Sequence, residues 1–62
     1  MSFWVKRQDP ARMKTSWTGP IRSERQAGRE ADAWTDAGWS AEVVPSSPEV
    51  RAEVRAWERS RR

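Results

Sequence analysis

Tryptophan has to do in this chain what leucine does in most proteins. The sequence holds Trp4, Trp17, Trp34, Trp39 and Trp57, with no leucine, one isoleucine and one phenylalanine among 62 residues. A chain of this length buries only about 60% of the surface its unfolded form exposes. A single core of that size supplies roughly 3–5 kcal/mol. Each indole can bury on the order of 200 Å², so the tryptophans read first as core. Phe3, Val5, Ile21, Val43, Val44, Val50 and Val54 supply the remaining bulk. A core this small also makes a dimer or a stabilising partner an expected feature.

The pattern of those residues sets the elements. "MSFWVKRQ" alternates Phe3 and Val5 against Ser2, Trp4 and Lys6, the period of a strand. Asp9-Pro10 signals a turn, and the β-branched, aromatic "KTSWT" (14–18) returns as a second, antiparallel strand that Gly19-Pro20 ends. Ser23 and Gln26 match a capping box, opening a helix from about Glu24 to Ala37. Ala27, Ala31 and Trp34 share one of its faces, and Gly38 stands where a left-handed cap is expected. Gly28, mid-helix, reads as a point of close approach to the sheet. "WSAEVV" (39–44) alternates as a third strand before Pro45. Ser47-Pro48 opens a last helix, with Glu49 suited to its positive end and an apolar stripe of Val50, Val54 and Trp57. That helix is expected to fray from about Arg59. The fold class is therefore α+β, one small domain over 1–62. Its order is ββαβα, a three-stranded sheet with two helices packed on one face. "AWTDAGWSAEVV" (33–44) becomes a joint, with Trp34 and Trp39 plugging the helix–sheet interface from both sides.

Several function classes are excluded by composition. With no cysteine and no histidine, the chain has no disulfide framework, thiolate zinc site, thiol nucleophile or imidazole acid–base pair. Its longest bulky apolar run, Phe3–Val5, is far short of a membrane span or a signal core. The expected location is the cytoplasm. Asp32 and Asp36 stand at i, i+4, as do Glu49 and Glu53. Arg25 and Arg29 share the face of the first pair, so that face reads as a solvated, charge-paired surface and not a metal site. There is no glycine-rich phosphate loop and no nucleophile–base pair at a readable spacing. The sequence indicates no enzyme, cofactor, metal site or small-molecule substrate.

Charge is the remaining signal. Twelve basic residues outnumber nine acidic ones, and ten of the twelve are arginine. Arginine suits bidentate phosphate and carboxylate contacts, although GC-rich genomes also favour its codons. On the last helix Arg51, Arg55, Arg59 and Arg62 fall within an arc of about 80° at 100° per residue. Arg61 extends that ridge and Glu58 weakens it. Like charges at i, i+4 repel by about 0.2–0.5 kcal/mol per pair, so the segregation points to a phosphate-tracking surface. The plain alternative is a solvated helix end with cations at its negative pole. A second cluster, Lys6, Arg7, Arg12 and Lys14, surrounds the first turn. Trp4 points away from the helices if Phe3 and Val5 point in, and would then be a base-stacking platform or a dimer contact. A shifted register would bury it instead.

The stretch "SWTGPIRSERQAGREADAWTDAGWSAEVV" resembles small uncharacterised proteins of actinobacterial phages and integrative mobile elements. They share a Trp-x-Gly-Pro turn, an Ala-rich helix and a Gly-Trp-x-Ala-x-Val strand. The resemblance spans residues 16 to 57 and implies a fold and a mobile-element origin, not an activity. The strand–helix–Gly–strand rhythm is also similar to half of a peptidoglycan-binding SPOR domain. The second half of that domain and an export signal are not found in the sequence, so its function is not carried over. Two functional expectations result: a non-enzymatic nucleic-acid-binding accessory protein, or a protein-interaction module acting as a homodimer or as an inhibitor of a host protein.

Overall fold

The computed structural model describes residues 1–61. Its elements are β1 (Phe3–Asp9), β2 (Lys14–Ile21), α1 (Glu24–Asp36), β3 (Ser40–Pro45) and α2 (Pro48–Ser60). This is the expected ββαβα order. The sheet order is β2-β1-β3, with β1 antiparallel to both neighbours. β2 and β3 therefore run the same way on either side of β1, and α1, which joins them, has to cross over β1. Val5 sits at that crossing with 0% exposure, packed with Ala27 and Ala31 of α1. Two alanines at i, i+4 bring the helix close to the sheet, and Phe3, Ile21, Trp34, Ala41 and Val43 pack around them.

α2 covers the other face, which corrects the expectation that both helices share one. Successive strand residues point to opposite sides of a sheet. Val5 belongs to the α1 side, whereas Lys6 reaches Glu53 of α2 at 3.9 Å. Trp17 lies directly opposite Lys6 in register and is 7% exposed. Val54, at the centre of α2's apolar stripe, is 5% exposed. The alternation of β1 was legible, but Lys6 disguised its second face as solvated. The lysine stem lies within that layer and its ammonium stands 5.5 Å from the Trp17 ring centroid. The Lys6–Glu53 pair is partly exposed and contributes well under about 1 kcal/mol.

Helix ends follow the sequence signals. Ser23 Oγ accepts from the Gln26 amide at 3.3 Å, and Ser47 Oγ from the Val50 amide at 3.2 Å. At the end of α1 the Trp39 amide donates to the Trp34 carbonyl at 2.9 Å, and the Gly38 amide to the Thr35 carbonyl at 3.0 Å. That pair of bonds is a Schellman motif, with Gly38 at φ 97°, a conformation that residues with a β-carbon rarely adopt. The apolar contact that accompanies such a cap is the Trp34–Trp39 ring pair, edge to face at 5.5 Å. α2 continues to Ser60, one residue past the expected start of fraying.

Two glycine readings are corrected. β2 does not stop at Gly19-Pro20 but runs on to Ile21. Phe3 pairs with Ile21 and Val5 with Thr18, so β2 spends three steps where β1 spends two, a bulge. β2 is an edge strand and Pro20 falls in the bulge with no register partner, so proline's missing N–H costs no ladder bond there. Gly28 is not a close approach, because a β-carbon there would meet nothing within 4 Å. Gly28→Ala should therefore stabilise the fold by up to about 1 kcal/mol through helix propensity. A thermal melt followed by circular dichroism reads this as a Tm several degrees higher; a lower Tm would mean that the site is tighter than it looks.

Candidate nucleic-acid interface

Three of the four arginines expected on α2 lie on one flank of the helix. With Val54 pointing into the sheet, Arg51, Arg55 and Arg59 project at about 60°, 100° and 140° to one side of it. All three are exposed. Among the described residues no carboxylate lies within 4.0 Å of any of them. Arg62, the fourth expected member, lies outside the described residues. Trp57 and Ser60 project to the opposite side of the helix, at about −60° and −120°.

The hairpin cluster is dispersed by the pleat. Lys6 and Arg7 are consecutive, so they face opposite sides of the sheet, and both sides are covered. Lys6 is held by Glu53 and Trp17. Arg12 stands 4.0 Å from Asp9 in the turn and is exposed. That turn is fixed by the Ala11 amide on the Asp9 carboxylate at 2.9 Å, and ends with Met13 in the left-handed region at φ 56°. Lys14, at the start of edge strand β2, is exposed and has no carboxylate within 4.0 Å among the described residues.

Arg7 has a different role. It follows Phe3 and Val5 on the inward alternation of β1, so its side chain runs beneath α1. Its guanidinium lies 3.6 Å from the Trp34 ring centroid and 5.2 Å from that of Trp39. One amino group donates to Thr18 Oγ1 at 3.2 Å, while Nε is buried without a partner among the described residues. Burial pushes its pKa below the usual arginine value, and the nearby Glu30 carboxylate pulls it back in part. The guanidinium stays charged, because arginine's ordinary pKa lies far above neutral, and the two indoles add cation–aromatic attraction. "AWTDAGWSAEVV" is thus both joint and grip: the Schellman cap sets Trp34 against Trp39, and the pair holds a cation of its own chain. The alternation Phe3-Val5-Arg7 carried the signal for this.

A groove that sequence reading missed follows the free edge of β2. It is about 850 Å³ and is lined by Arg7, Lys14, Thr15, Ser16, Trp17, Trp57, Ser60 and Arg61. Four consecutive β2 residues alternate between faces, so the groove tracks the strand edge. Three of its residues are cationic and none is acidic. Arg61 lies 4.7 Å from the Trp57 ring centroid. Trp4 is half-buried, edge to face against Trp17 at 6.4 Å. Its Nε1 is enclosed without a partner among the described residues.

Arg25, Arg29, Asp32 and Asp36 share one exposed face of α1, yet no ion pair within 4.0 Å forms among them. The expected charge pairing is therefore a shared solvated face rather than bonded pairs. Among the described residues no three acidic side chains converge as a metal site would require. No helix is long and apolar enough to cross a membrane. No family model matches the chain, and neither does any curated protein or solved structure.

Proposed function

We propose that this is a non-enzymatic nucleic-acid-binding protein that contacts phosphates through arginine. The observation that carries the reading is the flank of α2 on which Arg51, Arg55 and Arg59 stand exposed with no carboxylate within 4.0 Å among the described residues. Three guanidiniums spaced by four residues span about 12 Å along the helix, enough to meet successive phosphates of one strand. Unpaired arginines repel one another, and a polyanion relieves that repulsion while releasing its own counterions. In keeping with the sequence resemblance, the setting is that of an accessory protein of a phage or mobile element, acting in the cytoplasm of a bacterial host.

The test is neutralisation of the ridge. Replacing Arg51, Arg55 and Arg59 together by glutamine should flatten the salt dependence of duplex DNA binding by about 2.7 in log–log slope. All three are exposed, so the variant should melt close to the parent temperature. An unchanged slope in a folded variant would sink the reading.

A second reading has its own observation. Met1, Phe3, Gly28, Val43 and Pro45, with Glu24 at one side, line a largely apolar groove beside edge strand β3. It favours a protein-interaction module, a homodimer or an inhibitor of a host protein, and predicts a solution mass above that of the monomer by light scattering. A monomeric mass would remove the homodimer.

A further inference from the structure

We infer that the groove along the edge of β2 is a site for single-stranded nucleic acid, with a base stacked on Trp57; this deepens, and rests on, the reading of the protein as a nucleic-acid binder. Trp57 is half-buried and lines the groove on the side of α2 away from the arginine ridge. It is therefore an aromatic wall distinct from the phosphate-tracking flank. Trp17, 7% exposed, closes the inner wall, and Lys14 and Arg61 stand at the rim.

Charge complementarity selects the occupant. A chain with nine carboxylates places none of them in this groove and places three cations there. Arg7 is already held by Trp34, Trp39 and Thr18, so it supplies positive potential, while Lys14 and Arg61 are exposed for contact. Arg61 rests at 4.7 Å from the Trp57 ring and would either continue the stack or move to a phosphate when a base arrives. The Ser16 hydroxyl can meet a base edge or sugar oxygen without demanding one sequence, whereas Ser60 already donates to the Trp57 carbonyl and Thr15 accepts from Gln8. An acidic peptide would satisfy the cations but leave the indole wall without a flat partner. A duplex would satisfy the cations but keep its bases stacked inside. Only an unpaired strand offers a negative backbone and free π-faces together.

The test compares three probes of about twenty nucleotides, longer than the roughly 4–16 nucleotides one single-strand-binding fold covers: oligothymidylate, the same length of abasic strand, and the matching duplex. Fluorescence anisotropy on the intact chain should show oligothymidylate binding roughly 5- to 150-fold more tightly than the abasic strand, the range expected for one stacked base. Trp57→Leu should abolish that difference, and Trp57→Phe should retain part of it. The probe comparison needs no variant, so a misfolded substitution cannot hide the answer. Equal affinity for the thymidylate and abasic strands would overturn the stacked base while leaving the phosphate reading intact. No binding to any of the three at low salt would overturn both.

Discussion

Gly19→Ala should be the most damaging single substitution of a small residue in this protein, costing about 2–4 kcal/mol of a stability that a chain this size barely exceeds. Two independent penalties meet there. Gly19 has φ 146°, a conformation that residues with a β-carbon rarely adopt. A β-carbon would also lie 2.9 Å from Trp4 Cε3 and 3.0 Å from the Phe3 carbonyl oxygen. Neither neighbour can yield cheaply. The carbonyl belongs to the sheet ladder, and the Trp4 ring is held edge to face by Trp17. Relief would have to come from displacing Trp4, which would loosen the layer under α2. A urea titration followed by tryptophan emission should show a lower midpoint, or a chain unfolded without denaturant. A midpoint within experimental error of the parent would mean that the bulge is not as tightly packed as described.

The second large effect concerns Arg7. Arg7→Ala should cost about 2–3 kcal/mol, because it removes a side chain packed against two indoles and leaves a void beneath α1. Arg7→Met should cost clearly less. Methionine fills a similar volume and contacts aromatic rings well, and it leaves no unpartnered Nε behind. The comparison separates packing from charge: if both variants lose the same stability, the cation–aromatic attraction dominates and the volume is secondary. Binding gives a second readout. The guanidinium is already committed inside the fold, so Arg7→Met should leave the salt slope for duplex DNA nearly unchanged, unlike neutralisation of the α2 ridge.

Most of the fold was legible because each element carried a local signal. Ser23, Gly38 and Ser47-Pro48 mark helix ends by chemistry that acts within a few residues, and the structure uses all of them. What escaped was what depends on both sides of a surface at once. Gly19-Pro20 reads as a stop, because neither residue supports a strand interior; only the edge position of β2 makes a bulge with proline acceptable. Lys6 reads as a solvated position, because nothing local reveals that Glu53 and Trp17 will receive it. The expectation that both helices pack on one face followed from that error.

The candidate site divides the same way. The ridge of Arg51, Arg55 and Arg59 is a property of one helix, so 3.6-residue periodicity finds it. The hairpin cluster was a property of sequence proximity, which the pleat of β1 undoes by sending Lys6 and Arg7 to opposite faces. Trp4 drew attention as an aromatic outside the first core, but the structure packs it against Trp17 and Gly19. The more accessible indole at the cationic groove is Trp57, which reads in sequence as part of an apolar stripe. Its second role depends on where the end of α2 comes to rest beside β2.

The measurement that bears most directly on the account is the salt dependence of duplex DNA binding by the intact chain, from anisotropy between about 50 and 200 mM salt. If four phosphates are engaged by the arginines of α2 and their neighbours, the log–log slope should be about −3.6. A slope near zero, or no binding at the lowest salt, would contradict the assignment of that flank to phosphate and leave the apolar groove beside β3 as the surface to explain.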